Sequence, residues 1–141
     1  MSAGSATAVA LTFSWLGMVL AISFLEAPLK FRAPGVTLQI GLSIGRMVFR
    51  ALNTVEVLIA VGIAIALGLS DPRMGIVVIF AIAFGALIIQ LAGVRPRLTR
   101  RSDAVLAGEN APRSHAHYVY VAFEVVKLVA LIVGGILLLS S

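Results

Sequence analysis

Glu56, Glu124 and Lys127 are the residues of this chain best placed to do chemistry, because each lies inside a long apolar run. An ionised side chain near the centre of a membrane helix costs roughly 2.5–3.5 kcal/mol on an insertion scale, while a large apolar residue returns only roughly 0.3–0.6. Such groups persist where something nearby neutralises them or where they serve an ion path. Asn53 stands three residues before Glu56, and Ala122-Phe123-Glu124-Val125-Val126-Lys127-Leu128 echoes Ala51-Leu52-Asn53-Thr54-Val55-Glu56-Val57 at an offset of 71. Glu56 and Lys127 each fall nine residues into their runs, about 13–14 Å deep at about 1.5 Å per residue. The spacing predicts a Glu56–Lys127 ion pair, with an Asn53–Glu124 hydrogen bond one turn shallower. The rival pairing is Glu124 with Lys127 at i,i+3 on one helix, which leaves Glu56 alone. The structural reading of this polar network is a glue that registers the helices. The functional reading is a proton or ion relay.

His115 and His117 are the other candidates. Two histidines spaced i,i+2 point to different sides of a helix, and no third strong ligand stands nearby, so one copy is not expected to ligate a haem. They are expected beside Tyr118 and Tyr120 in an aromatic belt at the membrane surface. There is no cysteine, hence no disulfide, thiol chemistry or cysteine metal site. No nucleophile–base set, phosphate loop or paired catalytic carboxylates occur. The expectation is a protein without enzymatic activity, cofactor or metal.

The elements that must hold these residues are membrane spans. The 141 residues are 60% hydrophobic and 12% charged, with a mean hydropathy of +1.09. Ordinary soluble domains are about 45–50% apolar and about 25% charged, so lipid must be the main solvent. Four spans are expected, at about 6–25, 47–69, 74–94 and 118–139, forming a single all-α transmembrane domain over 1–141. Trp15 falls in the middle of the first span, to be read as a packing or lipid-facing residue or as one wall of a ligand pocket. Loops are expected at 26–46 and 95–117. The prolines at 28, 34, 72, 96 and 112 all fall between the expected spans, which suits a residue that cannot donate to a helix. The stretch 36–45 alternates apolar and polar residues like a strand. A lone strand beside lipid would leave backbone groups unsatisfied, so a helical or interfacial lead-in is expected instead.

The net charge of +5 does not point to nucleic acid, because the basic residues gather in two loops. Lys30, Arg32 and Arg46 lie in the first, and Arg95, Arg97, Arg100, Arg101 and Arg113 in the third. Basic loops stay on the cytoplasmic side, which predicts a four-helix bundle with both termini non-cytoplasmic. The two hairpins then run in the same sense, consistent with a parallel repeat. The Arg95–Arg101 cluster is expected to meet anionic lipid head groups or a partner. Arginine outnumbers lysine nine to two, a composition that suits the cytoplasmic membrane of a bacterium.

Ala27-Pro28-Leu29-Lys30-Phe31, Leu52-Asn53-Thr54-Val55-Glu56 and Arg95-Pro96-Arg97-Leu98 together resemble the small four-helix membrane proteins related to transmembrane protein 205. That family's last helix follows a Leu-His-Gly type step, where this chain has His115-Ala116-His117-Tyr118. The resemblance implies four helices and no established catalytic residues. With almost no soluble mass, the chain is expected to act as an accessory or stabilising subunit of a larger membrane complex such as a transporter, or as a homo-oligomer. The alternatives are a small ion- or proton-coupled transporter using Glu56, Glu124 and Lys127, and a haem-binding redox subunit.

Overall fold

In the computed structural model of the protein, which describes residues 1–109 and 115–141, four helices are long and apolar enough to cross a membrane. They are α1 (Ala3–Arg32), α2 (Leu38–Gly68), α3 (Met74–Leu106) and α4 (His115–Ser140). No strand occurs among the described residues. The absence of sheet follows from the solvent: in lipid, a helix satisfies its backbone within one segment.

The helix starts are written locally. Ser2 caps α1 by accepting from the Ser5 amide at 3.1 Å, and Thr37 caps α2 by accepting from Ile40 at 3.2 Å. These side-chain oxygens satisfy amides that have no intrahelical partner. Gly35, at φ 83°, and Pro34 break the chain between α1 and α2, and Asp71, at φ 51°, turns it between α2 and α3. The alternating stretch 36–45 is helical from Leu38 onward. Leu38, Ile40 and Ile44 face outward there. Where lipid wets the outside, apolar residues need not keep to one face, so alternation loses its meaning as a strand signal.

The expected loops are largely helix. α1 continues to Arg32, and α3 runs through Arg95 to Leu106. Pro28 and Pro96 therefore sit inside helices rather than between them, while Pro34 and Pro72 lie between helices; Pro112 and Arg113 lie outside the described residues. Each internal proline is preceded by a widened π-turn, Leu20–Glu26 and Gln90–Val94. The Ala27 amide bonds the Ile22 carbonyl and the Arg95 amide bonds the Gln90 carbonyl, both five residues back and both on the residue before proline. A proline ring clashes with the carbonyl four residues earlier, and a wider turn relieves that clash without ending the helix.

α1 packs along both α2 and α4, and α3 packs along α4. α2 and α4 face each other across the bundle with their backbones held apart. α2 and α3 meet chiefly at the basic end, where Arg46 pairs with Asp103 at 2.7 Å and Gln39 donates to the Val105 carbonyl at 3.3 Å. Met1, Asp71 and Ser141 line one shallow hollow at the opposite end, so both termini lie beside the α2–α3 turn. The half of the bundle near that turn is filled by Ile63, Leu67, Ile76, Phe80, Leu131 and Leu138. Gly134 and Gly135 let rings from two helices rest on the α4 backbone: a Cβ on Gly134 would lie 2.9 Å from the Phe80 ring, and one on Gly135 would lie 2.6 Å from Phe13.

Candidate functional site

The centre of the bundle holds a closed polar cluster drawn from all four helices. Lys127 and Glu56 are fully buried, Gln90 is 1% exposed and Glu124 2%. The Lys127 ammonium donates to Glu56 Oε2 from across the bundle, and lies 2.5 Å from Glu124 Oε1 one turn back on its own helix. The two pairings that the sequence sets against each other thus coexist on one ammonium. Because α2 and α4 stand apart, the contacts between them need side chains that reach across, as Lys127 does to Glu56 and Tyr120 to Asn53.

Trp15 on α1 donates its indole N–H to Glu56 Oε2 at 2.8 Å. Its ring stacks on Phe84 of α3, with centroids 6.1 Å apart and planes 17° from parallel. Trp15 is therefore a buried hydrogen-bond donor, not a lipid-facing residue. Gln90 on α3 donates to Glu124 Oε1 at 2.9 Å and to the Tyr120 carbonyl at 3.2 Å. Asn53 does not meet Glu124. Its Oδ1 accepts from the Tyr120 hydroxyl at 3.4 Å, while Gln90 and Lys127 share Glu124 Oε1.

Toward the basic end the cluster is closed by aromatic rings and cations. Phe49 and Tyr120 meet edge to face at 6.0 Å. The Arg95 guanidinium stands 5.0 Å from the Phe49 ring centroid and 5.4 Å from that of Tyr120, and Lys30 lies 5.7 Å from Phe49. These are cation–π distances. The π-turn at Gln90–Val94 accounts for the position of Arg95. In a regular α-helix residues five apart differ by about 140° in direction at about 3.6 residues per turn. Closing the turn over five residues brings Arg95 back beneath Gln90, and both reach Tyr120. Tyr120 is buried here, in contrast to its expected place in an outer aromatic belt; Tyr118 is exposed.

The remaining candidates lie apart from this cluster. Arg97 and Arg100 are exposed and Arg101 is half-buried on the last turns of α3, a helical segment in place of the expected loop. His115 is exposed, and the His117 ring meets Tyr118 at 5.5 Å. No group of three metal-ligating side chains occurs among the described residues. Sequence reasoning missed Trp15 and Tyr120 as members of the cluster. The available signal was their chemistry: an indole N–H in the middle of an apolar span, or a phenol near the start of one, needs an acceptor when buried, and Glu56 and Asn53 are acceptors set in the second span. Comparison with protein families, curated proteins and solved structures returned no match to this chain.

Proposed function

We propose that this multi-pass membrane protein is a non-enzymatic subunit that packs against a larger helical assembly in the cytoplasmic membrane of a bacterium. The carrying observation is the division of labour between its inside and its outside. The polar groups are spent inward, bridging all four helices. Outside, Gly17, Gly85 and Gly93 present positions where an added Cβ would meet nothing, so a foreign helix could approach the backbone closely there. Among the described residues, little chain lies outside the helices, which leaves the bilayer-facing sides and the basic end as working surfaces. The placement of both termini beside the short turn, opposite the basic end, supports a cytoplasmic location for Arg95, Arg97, Arg100 and Arg101, against anionic head groups. A π-turn before a proline on the first helix of each hairpin, ahead of Pro28 and of Pro96, supports a parallel repeat of two hairpins. Two of the three motifs that carry the resemblance to the proteins related to transmembrane protein 205 supply Asn53, Glu56 and Arg95 to the closed centre.

The test is affinity purification of a tagged chain in mild detergent. A stoichiometric membrane partner is expected, and leucine at Gly85 or Gly93 is expected to release it while the tagged chain stays folded. Elution as a lone, monodisperse bundle from every mild detergent would overturn the reading. A second reading, a small ion-coupled carrier, is favoured by one observation: the buried charges sit on two facing helices. It predicts flux into liposomes that is lost in Glu56→Gln.

A further inference from the structure

The buried cluster is short of positive charge and of hydrogen-bond donors. In direct contact, Glu56 and Glu124 bring two carboxylates against the single ammonium of Lys127, a formal sum of −2 + 1 = −1 that the Arg95 guanidinium offsets only from further off, without an ion pair. The donors converge on one oxygen of each carboxylate. Glu56 Oε2 receives Lys127 and Trp15, and Glu124 Oε1 receives Lys127 and Gln90. Glu56 Oε1, Glu124 Oε2 and Gln90 Oε1 are buried without a partner. Turning the Gln90 amide over would not help, because its nitrogen faces two acceptors, Glu124 Oε1 and the Tyr120 carbonyl. Three orphaned acceptors in so dry a place are costly. The other charged or titratable groups facing the cluster are Arg95, Tyr120 and, behind the Phe49 ring, Lys30, which pairs with Glu26 at 3.7 Å. Tyr120 spends its proton on Asn53. Arg95 lies on the Phe49 and Tyr120 rings and, among the described residues, forms no ion pair with either carboxylate.

We propose that this cluster binds one further monovalent cation, a proton or an alkali ion, held by the free oxygens of Glu56, Glu124 and Gln90. A water molecule could fill the hydrogen bonds but would leave the charge. A proton supplies both the charge and a donor by turning one orphan oxygen into a hydroxyl. A sodium or potassium ion supplies the charge and takes oxygen ligands. Occupancy is independent of whether the protein is a subunit or a carrier, because it is read without transport.

Thermal unfolding of the purified full chain in detergent tests this. One arm compares sodium, potassium and choline chloride at equal ionic strength and fixed pH. The other varies pH from about 5 to about 9 in choline chloride, across the range in which unperturbed carboxylates stay ionised. Each arm compares the wild type with Glu124→Gln, in which the formal charge is already zero and an amide donor can stand where Oε2 was. An alkali-ion site raises the wild-type midpoint by several degrees with ion concentration and leaves Glu124→Gln indifferent. A proton site leaves the wild type indifferent to the salts. Its folded state then holds one more proton than the unfolded state, so its midpoint falls as pH rises, more steeply than that of Glu124→Gln. Identical responses of the two proteins in both arms would overturn the proposal. Where Glu124→Gln does not fold, Glu56→Gln takes its place. Where neither folds, radiolabelled sodium binding and proton uptake on the wild type decide: one per chain is expected, and none of either overturns it.

Discussion

Lys127 holds two carboxylates on one ammonium, so its removal has a larger effect than the loss of an ordinary ion pair. Lys127→Met is expected to cost about 3–5 kcal/mol, since it strands buried charges, and adding Glu56→Gln is expected to recover part of that loss. Titration of a denaturing detergent into a mild one, read by helical circular dichroism, measures both. A double variant no more stable than Lys127→Met would mean that Glu56 and Lys127 do not interact. Trp15 and Tyr120 differ in the same assay. Trp15→Phe keeps an aromatic ring against Phe84 but removes a 2.8 Å bond to a carboxylate, and should cost about 1–3 kcal/mol. Tyr120→Phe removes a long bond of 3.4 Å to a neutral amide and should cost less than about 1 kcal/mol. Equal costs would show that ring packing, not the indole donor, sets the contribution of Trp15.

At the scale of the helix, the instructive cases are Pro28 and Pro96. Both look like terminators in the sequence, yet both helices run on past them through a π-turn. The wider turn removes the clash between the proline ring and the carbonyl four residues back, so the helix can continue past the proline. The Gly134–Gly135 step works in the opposite direction, by letting helices approach. Gly134→Leu would drive a side chain into the Phe80 ring, where even a Cβ stands at 2.9 Å. It is expected to cost about 1–3 kcal/mol or more, read in the same detergent titration. Stability equal to the wild type would mean that α3 and α4 can separate there without loss.

For the whole molecule, sidedness is the open test of the arginine-rich end. The chain contains no cysteine, so single cysteines report cleanly. Cysteine at Ser2 or Ser141 is expected to react with an impermeant maleimide on intact cells, and cysteine at Arg100 only after the membrane is broken. The reverse pattern would invert the topology and remove Arg95, Arg97, Arg100 and Arg101 from the cytoplasmic leaflet. The bundle is also uneven along its axis. Apolar packing fills the half near the termini, and the polar cluster with its aromatic and cationic closure fills the rest. Apolar packing thus separates the polar cluster from the end that holds the termini.

The number of helices, their approximate places and the depth of Glu56 relative to Lys127 were legible in the order of residues alone. Run length and rise per residue are one-dimensional quantities, and the insertion cost of a charge depends on its depth. Which helix stands beside which was not legible. In lipid the outward and inward faces of a helix are both apolar, so periodicity no longer marks the core side, and the polar atoms of Trp15, Gln90 and Tyr120 called for partners without saying on which helix. Only packing decided that α2 and α4 oppose each other across the bundle, that Lys127 serves both carboxylates, and that Asn53 turns to Tyr120. Those outcomes depend on the distance between backbones, which small residues and widened turns set in three dimensions.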